Sequence, residues 1–288
     1  MKHLRHIVLA LLTILVTQCS RGETTHQRNV VVSIVPLQEF VEKVGGDKVN
    51  VAVMVPPGAS PHAYEPNPAQ LIAVSNAHMY VKVGTPIEFE IAWLDKVLSM
   101  NSTLVVCNAS EGITLIAGSQ DDGYEQNTVD PHVWLSPQNA KMMVDNIYNT
   151  LCAVDSINKQ YYRARRDKYC AELDSLHRRI EQMLSDKKRR QFIVYHASWR
   201  YFARDYGLQQ IPIQTDGKEP TAQDMRDVIR IAREHNIKTI FVSPQFSTKS
   251  ADVIAHEIGG TVRTLDPLAK DYVANMEKVA RSLSAAME

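Results

Sequence analysis

The sequence predicts an α/β protein of two pseudo-symmetric lobes, each with a mainly parallel sheet, joined by one long backbone helix. Three observations carry that expectation. β-Branched runs alternate with short helix-spaced stretches in both halves of the 288-residue chain, the rhythm of βα units. Residues 158–186 hold no Gly or Pro, and Tyr169, Leu173, Leu176, Ile180 and Leu184 recur three and four apart, the stripe of an amphipathic helix. A loop-to-helix motif is also echoed. Glu65-Pro66-Asn67-Pro68-Ala69-Gln70 and Glu219-Pro220-Thr221-Ala222-Gln223 lie 154 residues apart.

The first lobe is expected over 29–155. Residues 29–35 are β-branched and read as a strand, and 37–44 carry helix-spaced apolar residues. The Val-rich alternation at 49–55 is a second strand. A short helix at 69–75, a strand at 79–83, a helix at 89–98 and a strand at 104–107 follow. Ser136-Pro137 then opens a helix to about residue 151, with Ser as the cap and Pro at the first helical position. The linking helix, over 156–186, should be a rod of ~40 Å at ~1.5 Å per residue.

The second lobe is expected over 187–288. Strands are predicted at 191–195, 208–214, 238–242 and 261–265. Helices are predicted between them at 199–205, at 221–235 with a Thr221/Asp224 capping box, and at 249–258 with Gly259-Gly260 as the stop. A closing helix spans 272–287.

The N-terminus reads as a leader. Lys2 and Arg5 precede an apolar run at 7–16 that is too short to span a bilayer. That is the pattern of a signal peptide, here 1–18. Val16-Thr17-Gln18-Cys19 resembles a bacterial lipobox, with Gln18 where a small residue is usual. Lipidation of Cys19 would tether the protein to a membrane surface through residues 19–28. The remaining 270 residues would hold 30 basic and 32 acidic side chains. So nearly balanced a charge excludes a nucleic-acid-coating protein and a disordered polyelectrolyte. Cys107 reads as a buried strand thiol. Cys152 and Cys170 read either as a bridge between neighbouring helices or as two separate thiols.

Four loops carry the chemistry. They hold His62 between prolines, His132 in Asp130-Pro131-His132, His196 after a strand, and Asp266 after another. His62, His196 and Asp266 fall beyond the carboxyl ends of predicted strands, where open α/β sheets bind ligands. Three neutral imidazoles and a carboxylate suit Zn2+ at ~2.0–2.2 Å, and also Mn2+ or Fe2+. Spacing alone leaves the bland alternative open, because His between prolines and Asp before Pro are common in surface turns. The other histidines, His26, His78, His177, His235 and His256, carry no such pattern.

The loops PPGASPHAYEPNPAQL and DPHVWLSPQNA resemble those of the metal-specific solute-binding proteins of bacterial ABC importers, the zinc- and manganese-binding ZnuA/TroA-like family. YHASWRYFARDYGL, GKEPTAQDM and GGTVRTLDPL resemble the same family in the same order. The resemblance implies two α/β lobes about one long helix, with the metal between them. It implies His62, His132, His196 and Asp266 as ligands, zinc as the cargo with manganese or iron as alternatives, and an ABC permease with its ATPase as partners. A lipid-anchored monomer outside the cytoplasm is expected, and no enzyme. Gly118–Thr128 stands where many zinc members carry a His-rich loop, and it holds Asp121, Asp122 and Glu125 but no His. Two rival classes remain at this stage. One is a secreted zinc hydrolase using Glu65 or Asp266 as its base. The other is a surface adhesin, as proposed for some relatives.

Overall fold

The computed structural model describes residues 27–118, 128–214 and 218–287. The leader, Cys19, His26, Asp121, Asp122 and Glu125 lie outside the described residues. The first sheet is built from β1 (Arg28–Ile34), β2 (Val49–Val55), β3 (Met79–Lys82) and β4 (Val105–Asn108). All pairs are parallel, in the order β2-β1-β3-β4. Val30, Val31, Val32 and Ile34 of β1 are all buried, because a parallel strand at the centre is covered on both faces. Helices α1 (Val35–Gly45), α2 (Pro68–Ser75) and α3 (Glu88–Leu98) make the crossovers.

Local rules explain where the chain turns. Gly84, between β3 and α3, has φ +84°, and a Cβ there would run into the Asn108 side chain. Only glycine fits such a turn. The Glu90 carboxylate then accepts the N–H groups of Val83 at 2.6 Å and Gly84 at 3.0 Å.

The second sheet repeats the plan. Its strands are β5 (Gln191–Val194), β6 (Gln209–Pro212), β7 (Thr239–Val242) and β8 (Thr261–Thr264), parallel in the order β6-β5-β7-β8. The two orders are the same when read strand for strand. The sequence echo now has a structural meaning. Its first copy opens α2 after β2, and its second opens α7 (Ala222–Glu234) after β6, the equivalent crossover. Both starts are capping boxes, Asn67 with Gln70 and Thr221 with Asp224.

Between the sheets, α4 (Pro137–Val154) turns into α5 (Lys159–Leu184). The predicted stripe of α5 is buried in full, with Tyr162 added to it. The two helices run antiparallel, with Asp145 paired to Arg166 and Lys141 to Asp174. That register puts Cys170 level with about residue 143. Cys152 is then about nine residues, or ~13 Å, away along the axis, too far for a disulfide. Cys107, Cys152 and Cys170 are free thiols. Cys107 is buried on β4 as expected, and burial pushes its thiol up to about 11.

The remaining helices are α6 (Arg200–Tyr206), α8 (Lys249–Glu257) and α9 (Tyr272–Ala286). Here the structure departs from two separate cores. Successive residues of β5 point to opposite faces of its sheet. Ile193 and Tyr195 join a small core under α7 and α8. Phe192 and Val194 join one large core that continues through α9 and α5 into the first lobe. Among the described residues no helix is long and apolar enough to cross a membrane.

Glu39 on α1 ties the three parts together. Its carboxylate accepts the Tyr169 hydroxyl of α5 at 3.0 Å and the Tyr272 N–H that opens α9 at 2.6 Å. Burial raises the pKa of this carboxyl, outweighing those hydrogen bonds. Glu39→Ala would leave two buried donors without acceptors. We expect a loss of roughly 2–4 kcal/mol, measured as a lower denaturant midpoint with an unchanged m-value.

Candidate metal site

Each sheet directs the carboxyl ends of its strands toward the other lobe. The chain leaves β2 at Val55 and reaches His62 in the loop before α2, and it leaves β5 at Val194 and reaches His196 two residues on. Phe246 and Gln245 follow β7 in the same way. His132 arrives differently, at the start of a short 3-10 turn over Val133–Leu135. Two bonds hold its loop, from the Thr85 hydroxyl to the Pro131 carbonyl at 2.7 Å and from the Tyr201 hydroxyl to the Asp130 carbonyl at 3.0 Å. Tyr201 comes from the second lobe.

The fold brings the three histidines together from positions 64 and 70 residues apart. Ring centroids are 4.8 Å apart for His62 and His196, and 5.3 Å apart for His132 and His196. The rings meet edge to face. Among the described residues, no three His, Cys, Asp or Glu side chains already stand as a closed ligand set. The cavity they line has a volume of about 30 Å³, room for an ion or a water or two but far below an organic-ligand pocket. Pro61, Ile87, Trp134, Phe246 and Leu268 make much of its wall.

Every imidazole has its Nδ1 occupied by an acceptor. His62 Nδ1 faces Glu88 Oε1 at 2.7 Å, His132 Nδ1 faces Asp130 Oδ1 at 2.9 Å, and His196 Nδ1 faces Gln214 Oε1 at 2.9 Å. An acceptor there places the proton on Nδ1 and leaves the Nε2 lone pair for a cation. His196 Nε2 is buried with no hydrogen-bond partner, a costly state for a polar atom unless something binds it. These residues fit a divalent transition metal.

Electrostatics agree. Burial first, and then the neighbouring His132 and His62, push the His196 pKa down to about 3. A neutral ring is the form that ligates. Burial alone would raise the Glu88 pKa, but the hydrogen bond and charge of His62 outweigh it and hold Glu88 below its ordinary value.

Asp266 stands apart from the three. Its Oδ1 accepts the Leu268 N–H at 2.9 Å and the Gln245 side-chain amide at 3.2 Å. Its neighbours Pro267 and Leu268 line the cavity, and Asp266 does not. Glu65, the rival base of a hydrolase, is exposed and also absent from the lining. His78 is structural as expected, its Nδ1 accepting the Asn29 N–H at 3.1 Å.

A family profile described as the periplasmic component A of the zinc-uptake complex, ZnuA, matches residues 30–286. This chain belongs to the ZnuA family. It is 31% identical over 265 residues to the high-affinity zinc uptake system protein ZnuA of Bacillus subtilis, covering 88% of this chain and 82% of that one. A ZnuA crystal structure superposes with a TM-score of 0.86 at 42% identity, over 91% of this chain and 100% of that one. The laminin-binding protein Lmb of Streptococcus agalactiae, described as bifunctional with adhesin and metal transporting activity, superposes at 0.80 with 26% identity. That match covers 91% of this chain and 100% of Lmb.

Within this ZnuA frame, sequence reasoning missed Glu88, Asp130, Gln214 and Phe246. Only Asp130 left a local signal, two residues before a histidine whose backbone N–H it accepts at 2.8 Å. A test of the site's electrostatics follows from the metal-free protein. In 15N NMR the His196 ring should stay neutral with its proton on Nδ1 from pH 8 down to pH 4. A ring titrating near pH 6.5, the ordinary histidine value, would contradict the burial described here.

Proposed function

We propose that this protein captures Zn2+ outside the cytoplasm and delivers it to the permease of an ABC importer. The observation that carries this reading is three imidazoles, drawn from both lobes, around an ion-sized cavity with all three Nδ1 atoms engaged. Membership of the zinc-uptake family supports it. So does the solved ZnuA deletion mutant described as zinc-bound, 42% identical to this chain with a TM-score of 0.86.

His62, His132 and His196 would supply three nitrogen ligands. Asp266 is the fourth in this proposal, and to reach the ion its carboxylate must leave Leu268 and Gln245. A shell closed by four protein ligands binds its ion, whereas a catalytic zinc keeps a water position. An ion-sized cavity supports a receptor over a hydrolase. Cys19 is proposed as the lipidated residue of a monomer tethered to a membrane surface.

Competition titration of the metal-free protein with Zn2+, Mn2+ and Fe2+ tests the reading. Zinc should bind most tightly. Each of His62→Ala, His132→Ala and His196→Ala should weaken it by ~10-fold or more. Wild-type affinity in all three variants would overturn the assignment.

The continuous core about α5 also limits how the cargo can leave. A pair of structures, metal-free and zinc-loaded, should differ by only a small tilt of the lobes. A hinge opening beyond ~20° would contradict that.

A further inference from the structure

The three imidazoles are not held equally. His132 and its partner Asp130 expose 8% and 0% of their side chains, and the Asp130 carboxylate accepts both the backbone N–H and the Nδ1–H. His196 stacks on Phe246 with ring centroids 4.9 Å apart, and its partner Gln214 is buried. His62 rides on the 56–66 loop, whose backbone bonds are two internal turns, Ala59 to Pro56 and Ala63 to Ser60. Its side chain is 30% exposed, and Glu88, which holds it, is 51% exposed.

Glu88 belongs to a different element from His62. It is the first residue of α3, positioned by the Gly84 turn, and it lines the cavity. The ring's Nδ1 partner therefore comes from a neighbouring crossover, beside ring contacts with His196 and Phe246. A hydrogen bond whose two partners are partly exposed competes with water and contributes less than one that is fully buried. Of the three Nδ1 contacts, His62–Glu88 is thus the one most open to water.

We propose that Glu88 is the positioning residue that sets how long the metal stays: it holds His62 Nε2 toward the ion, and its detachment lets His62 swing out on its loop while His132 and His196 remain in place. The proposal rests on the reading of this cavity as a zinc site. It places the exit at one loop of the first lobe and requires no parting of the lobes. It assigns release to a contact made through a ligand's far nitrogen, not to a ligand itself.

Stopped-flow displacement of zinc by a chelator tests it on the full chain. Glu88→Ala should raise the dissociation rate by ~10-fold or more, the scale of second-layer partners of metal-bound histidine, with the association rate unchanged. Glu88→Gln keeps an acceptor oxygen and should recover most of the residence time. In cobalt-substituted protein the visible d–d bands of Glu88→Ala should match wild type, because the ligand set is the same. A wild-type dissociation rate in Glu88→Ala would overturn the proposal. So would altered cobalt bands, which would make Glu88 a ligand. His132→Ala separates the two readings. If it loses zinc while Glu88→Ala behaves as wild type, only this inference fails; if it binds zinc normally, the metal-site reading fails.

Discussion

Tyr162, Tyr169, Leu173, Leu176, Ile180 and Leu184 lie buried along α5, against α1 and α4 of one lobe and α9 of the other. This shared apolar contact is the constraint on which the rest depends. Apolar surface returned to water costs about 25 cal/mol per Å², so parting the lobes by even a few hundred Å² would cost several kcal/mol. Glu39 adds a polar junction at the same place, joining α1, α5 and α9. Two loops of the site are clamped across the seam as well. The Trp134 indole N–H donates to the Pro267 carbonyl at 2.8 Å, and the Tyr272 hydroxyl donates to the Trp134 carbonyl at 2.7 Å. The loop carrying His132 and the loop carrying Asp266 are therefore bound to one another.

In the proposed site, negative charge sits one layer out from the three imidazoles. Glu88 and Asp130 bring two carboxylates to His62 and His132, and Gln214 brings a neutral amide to His196. With the Asp266 carboxylate proposed as a ligand, these two would surround a divalent cation with negative charge. A buried charge without a counter-charge is expensive, so these carboxylates favour a cation of higher charge. The arrangement also explains how three neutral imidazoles can sit in an apolar wall. Part of the compensation comes from their hydrogen-bond partners.

Much of the fold was legible because its signals are local. Strand and helix limits read from periodicity fall within a residue or two at most boundaries, since capping boxes and glycines mark them. Thr221 with Asp224 is a capping box, and Ser136 caps α4 by accepting the Asn139 N–H. The three histidines were legible for a related reason, because they sit in loops between recognisable elements. Glu88, Gln214 and Phe246 were not. Each acts on a histidine from another crossover, and no spacing along the chain encodes that approach. The fate of Cys152 and Cys170 was hidden in the same way, because it depends on the register of α4 against α5. The continuity of the core was hidden too. Alternation along β5 announces two covered faces, but not that one of them runs on into the other lobe.

Parallel strands have one more consequence. The strands of the first sheet are parallel, and the loops after β2 and β3 reach the cavity, so the strands begin at the pole away from it. β1 opens at Arg28, which is held there by Asp155 in the turn between α4 and α5. A seven-residue strand puts about 23 Å between that point and the level of the cavity. The point of attachment for anything preceding Arg28 and the mouth of the site are thus opposite ends of the same body. A body held at the Arg28 end would present its cavity at the end farthest from the hold.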